Sequence, residues 1–180
     1  SAAPGAVIDF SLALPATINL VSEQLLIDKP LTINGPGRDK LKIKAIHFSP
    51  GEFRLLRSSG SGISIKGMTM SDGMTNEPGG GIYNTGELKL QDVVLSNNMS
   101  HPEIAIGGGI YNAGNAVLTL ENVLITDNRA NYGGGGIANV DNAVIYMSNT
   151  KVTANSIDTS SNAGGGIANH LSVLVLANTG

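Results

Sequence analysis

A box of three glycines and an isoleucine that occurs four times constrains this chain more than any other feature. Gly79-Gly80-Gly81-Ile82 recurs as Gly107-Gly108-Gly109-Ile110, Gly134-Gly135-Gly136-Ile137 and Gly164-Gly165-Gly166-Ile167. The isoleucines stand 28, 27 and 30 residues apart, and an asparagine follows each by two positions: Asn84, Asn112, Asn139 and Asn169. A fixed period in this range marks arrays in which each unit buries its apolar face only by stacking on its neighbours.

Inside each unit the apolar residues alternate with period two, which predicts strands. Leu88-x-Leu90 and Val93-x-Leu95 are followed one coil later by Leu118-x-Leu120 and Val123-x-Ile125, and then by Ile145-x-Met147 and Thr150-x-Val152. Ile63-x-Ile65 and Met68-x-Met70 form an earlier, degenerate copy. The corner between the two halves carries Gly67, Asp92, Asn122, Asn149 and Asn178 in turn, residue types that tolerate left-handed backbone. Each unit closes on an apolar-x-x-Asn step, at Asn98, Asn128 and Asn155. Glycine triplets and β-branched pairs leave no 3.6-residue stripe for a helix.

The expected fold is therefore all-β: a single-stranded parallel β-helix of about six coils, with three short strands per coil about 4.8 Å from their counterparts along the axis. The crossover rule makes its hand right-handed. Inward Ile, Leu, Val and Met stack into core columns, while triple glycine allows sharp bends and close approach between coils. Asn84, Asn112, Asn139 and Asn169, and separately Asn98, Asn128 and Asn155, are expected to form structural ladders in which each side-chain amide bonds the next. The whole chain, 1–180, reads as one solenoid domain, with 61–180 regular and 1–60 forming atypical first coils and a cap. Glu77-Pro78, Met99 to Ile106, Arg129 to Tyr132 and Ser156 to Ala163 vary between copies and are expected to be loops.

Composition agrees with a packed rather than a disordered chain. Charged residues make up only 14%, against roughly 25% in an average domain, yet the apolar residues are regularly placed, which disordered chains lack. There is no cysteine, so disulfides and thiolate metal sites are excluded. No apolar run reaches the about 18 residues of a membrane-spanning helix.

The repeats resemble those of the chlamydial polymorphic outer-membrane proteins and related bacterial surface β-helix proteins. In that family a Gly-Gly-(Ala/Gly)-Ile box alternates with Phe-x-x-Asn. Here Gly80-Gly81-Ile82 and its successors supply the first box, and Leu95, Ile125 and Val152 stand where the second has Phe. The stretch Leu25 to Gly37 is similar to the N-terminal portion of such secreted proteins. The resemblance implies a right-handed β-helix, an extracellular or cell-surface location on a bacterium, and an adhesive or scaffolding role.

Many β-helices are polysaccharide lyases or hydrolases, whose chemistry requires acids converging on one face as metal ligands or as an acid/base pair. The turn after the second strand of each pair carries Asp72, Asn97, Asp127 and Ala154. Its acids lie two coils, or about 10 Å, apart. Asp92 beside Glu121 is the closest approach of two carboxylates. His47, His101 and His170 do not fall at metal-ligand spacing. The glycine boxes lack the Lys-Ser/Thr of a phosphate loop and lead into a strand. Aromatic residues, at 4%, are scarce for nucleic-acid stacking; Tyr83 and Tyr111 share one repeat position, which Ala138 and Ala168 occupy later. No catalytic residue, metal ligand, cofactor or nucleic-acid partner is assigned.

Charge is distributed unevenly. Residues 29–66 hold eight basic and two acidic side chains (+6), residues 67–180 three basic and nine acidic (−6), and residues 1–28 three acidic (−3). Aligned on the repeat, Leu174-x-Leu176 is the first strand of a coil and Asn178 its corner. This reads either as a fragment of a longer surface protein or as an assembly end that docks on the early coils of another copy. The expected function is a non-enzymatic extracellular structural or adhesin-like solenoid, including a head-to-tail filament subunit, whose partners are its own copies or a host or neighbouring cell surface. A carbohydrate-active β-helix, lyase-like or glycan-binding, is the alternative.

Overall fold

The computed structural model describes residues 2–47, 51–101, 105–158 and 164–177. The chain is an all-β parallel solenoid of about six turns, with no helix among the described residues.

One turn shows how the sequence makes the coil. Strand Glu87–Ser96 is extended on both sides of Asp92, which adopts φ 52°. The left-handed residue interrupts the side-chain alternation, so Leu90 and Val93, three positions apart, both face inward. Gly67, Asn122 and Asn149 occupy the same corner with φ 64°, 53° and 47°. A second left-handed column, Asp72, Asn97, Asp127 and Ala154, ends the outer half of this face.

Strands stack in register from turn to turn. Leu88 and Leu90 lie beside Leu118 and Leu120, these beside Ile145 and Met147, and these beside Leu174 and Leu176. The resulting eleven-stranded sheet forms one long bent face. A six-stranded sheet, from Leu25–Ile27 to Ile167–His170, forms the glycine-box face. A four-stranded sheet of Met74–Thr75, Met99–Ser100, Arg129–Ala130 and Ser156–Ile157 closes the section.

This last sheet corrects the sequence reading. Segments expected to be loops from Met99, Arg129 and Ser156 each open with a two-residue strand, which gives four strand segments per regular turn. Two residues cannot display a period, and their inward side chains, Ser100 and Ala130, are small enough to escape a search for apolar alternation.

The third glycine of the first three boxes lets neighbouring turns approach closely. A Cβ on Gly81 would lie 2.6 Å from the Gly109 carbonyl oxygen, one on Gly109 2.6 Å from that of Gly136, and one on Gly136 2.7 Å from that of Gly166. Any side chain there would push the coils apart. The core beneath is a set of columns, including Ile82–Ile110–Ile137 and Leu95–Ile125, all fully buried. Each such side chain contributes about 1.5–3 kcal/mol by leaving water.

Residues 2–47 and 51–58 extend the same sheets. Ala6–Asp9 pairs with Leu31–Asn34, which pairs with Ile63–Ser71, and Leu25–Ile27 pairs with Leu56–Ser58. Strand Val173–Leu176 pairs with Val144–Ser148, leaving Leu174 half-buried and Leu176 exposed; Asn178 lies outside the described residues.

Candidate functional site

Two lines of asparagine amides run inside the solenoid. On the glycine-box face, Asn84 Nδ2 donates to Asn112 Oδ1 at 2.8 Å, Asn112 Nδ2 to Asn139 Oδ1 at 2.8 Å, and Asn139 Nδ2 to Asn169 Oδ1 at 2.7 Å. At the close of the long face, the Oδ1 of Asn128 accepts from both the backbone and the side-chain nitrogen of Asn98, each at 2.9 Å. Asn155 serves Asn128 in the same way. The amide of Asn128 also donates to the carbonyls of Leu95 and Thr126, both at 3.0 Å. Asn84, Asn98, Asn112, Asn128 and Asn139 are fully buried. Their hydrogen-bonding capacity is directed between coils, where an unmade bond is expensive.

Three carboxylates of the long face, Asp92, Glu121 and Asp72, are engaged by cations. Asp92 faces Arg38 at 3.3 Å and accepts from Asn122 Nδ2 at 3.0 Å, whereas Glu121 faces Lys89 at 2.8 Å. Asp72 lies 3.9 Å from Lys42 and 3.8 Å from Lys44. Among the described residues no three His, Asp or Glu side chains converge as metal ligands. His101 meets Glu52 at 2.6 Å, His47 Nε2 contacts the Asp72 carbonyl at 2.8 Å, and His170 is exposed on the last glycine-box strand.

The densest cluster of chemistry lies elsewhere, on the outer side of the glycine-box face. Arg57 on strand Leu56–Ser58 stands in register with Tyr83, and Tyr83 with Tyr111. The tyrosine ring centroids are 5.1 Å apart at 38°. The guanidinium of Arg54 lies 4.9 Å from the Tyr83 centroid and that of Arg57 5.4 Å, both within cation–π range. Arg54 is buried and donates to the exposed carboxylate of Glu77. With Pro78, these side chains line a cleft of about 320 Å³.

Electrostatics divide the two arginines. Burial pulls the Arg54 guanidinium below its ordinary value, Glu77 opposes that shift, and Arg57 adds to it. Burial likewise raises the Tyr111 hydroxyl, with Tyr83 and Asp141 contributing, so it remains a neutral donor at physiological pH. Arg57 is exposed and has no ion-pair partner among the described residues. The cluster carries two guanidinium charges and one carboxylate, a net +1.

Sequence reasoning singled out the tyrosine pair but did not join it to the arginines. The usable signal was the likeness of Leu56-Arg57-Ser58 to Ile82-Tyr83-Asn84, an apolar-x-polar strand without a glycine box before it. No known family model, curated protein or solved structure matches the chain.

Proposed function

We propose that this chain is a non-enzymatic structural solenoid of a bacterial cell surface, a stiff, adhesin-like rod that presents its outer faces to a partner. The observation that carries the reading is the pair of buried asparagine ladders. They give the turns from Asn84 onward the same polar bonds to their neighbours, a construction suited to rigidity along the axis. The likeness of the repeats to the chlamydial polymorphic outer-membrane proteins supports the surface location. The same reading includes end-to-end association, in which the early turns of one copy meet the later turns of another through a heterologous contact.

Electron microscopy of the purified protein at low and high salt tests this. Salt-sensitive fibres of uniform width are the expected result for end-to-end association; discrete particles at every salt concentration, roughly 30 Å long for six turns, would overturn that part of the reading. Incubation with anionic polysaccharides tests the non-enzymatic part. Unsaturated products that vanish in Asp92→Ala or Glu121→Ala would make the protein a lyase instead. A glycan-binding module is the second reading, and the arginine–tyrosine cleft is the observation that favours it.

A further inference from the structure

The outward column of the glycine-box face reads Leu26, Arg57, Tyr83, Tyr111, Ala138 and Ala168, paired in register from turn to turn. Its alanines reveal what the fold itself requires. Two later turns carry a single methyl group at this position, Ala138 fully buried and Ala168 half-buried, so the strand itself forms without a tyrosine. Nor are they core side chains: both are only half-buried and border an open cleft.

That cleft combines two kinds of recognition. The tyrosine pair offers an aromatic wall, which suits the C–H face of a pyranose ring; successive turns advance about 4.8 Å, close to the length of one sugar unit. Arg57 offers a guanidinium free of any carboxylate partner among the described residues, whose planar fork matches a carboxylate bidentately. Arg54 is already committed to Glu77 and also lies over the Tyr83 ring. The exposed Glu77 carboxylate keeps the site at a net +1, which suits one carboxylate and disfavours a polysulfated or phosphorylated ligand. A volume of about 320 Å³ lies at the small end of ligand sites, roughly 300–1,000 Å³, and admits about one ring. An acidic peptide offers the carboxylate without the ring.

We propose that this cleft binds a uronic-acid unit of an acidic glycan, its ring against Tyr83 and Tyr111 and its carboxylate on Arg57. The inference deepens the surface-protein reading by naming a ligand class. It predicts binding without bond cleavage.

The test is a titration with trigalacturonic acid followed by intrinsic fluorescence. The chain has four tyrosines and no tryptophan, and two of the four line the cleft. A saturable change with the acidic trisaccharide and none with its neutral galactose counterpart is expected. Arg57→Ala and Tyr111→Ala should each weaken binding by about tenfold or more. Tyr111→Ala installs the residue that two later turns already carry, so its thermal midpoint should remain near that of the parent. Lys42→Ala, on the long face, should bind like the parent. The proposal is overturned by absence of a saturable signal at millimolar ligand, by full binding in Arg57→Ala, or by equal binding of a tri-glutamate peptide. None of those results would alter what microscopy shows of the assembly, so the ligand class can fail while the structural reading stands.

Discussion

The turns before residue 61 and those after it are built on the same sheets, yet they solve the interior differently. In the later turns the inward columns are filled by Leu, Ile, Val and Met, and the polar positions by laddered asparagines. In the early turns an apolar hollow of about 240 Å³ lies among Phe10, Ile18, Leu20, Leu25 and their neighbours. All four buried side-chain polar atoms without a partner, Gln24 Oε1, Asn34 Oδ1, His47 Nδ1 and Ser58 Oγ, also belong to the early region, among the described residues. Ser58 explains the contrast in one residue. It stands in register with Asn84, one turn before the ladder begins, and its side chain is too short to reach the next amide. A solenoid is regular only where each column supplies both the volume and the hydrogen bond that the next turn needs.

The largest test of this contrast places a charge in each interior. Ile110→Asp puts a carboxylate in a fully buried column and should abolish folding by circular dichroism, because an unpaired charge in an apolar core is prohibitively costly. Ile18→Asp, at the half-buried edge of the hollow, should stay folded with a lower urea midpoint. Equal loss in both variants would break the comparison.

Next in size is the ladder. Asn128→Ala strands the backbone and side-chain nitrogens of Asn98 and removes the side-chain donor to the Leu95 and Thr126 carbonyls, and should lower unfolding free energy by about 3 kcal/mol in denaturant titrations. Gln24→Ala removes an unpaired oxygen and should change it by less than about 0.5 kcal/mol. A smaller, favourable effect is expected from repairing the early region. Ser58→Asn would extend the glycine-box ladder by one rung and raise stability by about 1 kcal/mol. Ala154→Gly should give a similar gain in the late region, because Ala154 holds φ 53° where its column otherwise carries Asp or Asn. If Ser58→Asn is neutral while Ala154→Gly stabilises, register alone does not set the ladder. The smallest effect belongs to the surface: Lys89→Ala should cost under about 1 kcal/mol and vanish in high salt, since its pair with Glu121 is half-exposed.

Legibility followed the same division. Gly67, Asp92, Asn122 and Asn149 were readable as corners because a left-handed position restricts residue type wherever it occurs. The inward columns were readable because alternation is local and recurs in every unit. Met99–Ser100 and Arg129–Ala130 were not, since two residues with small inward side chains leave no periodic trace. The arginine–tyrosine cleft was half legible. Tyr83 and Tyr111 share a repeat position, but Arg54 and Arg57 lie where the repeat has decayed and no glycine box marks the register.

The amino-acid sequence by itself determined a parallel β-solenoid and its turn length. Glycine boxes, corner residues and period-two alternation each act within a few residues and each permit only a narrow range of backbone. What only the tertiary structure decided was which side chains from different turns meet on the outside. Arg57 reaches Tyr83 because Leu56–Ser58 and Ile82–Asn84 pair in register across 26 residues of chain. Outward positions are free of the packing that disciplines the core, so nothing local to either residue announces that contact.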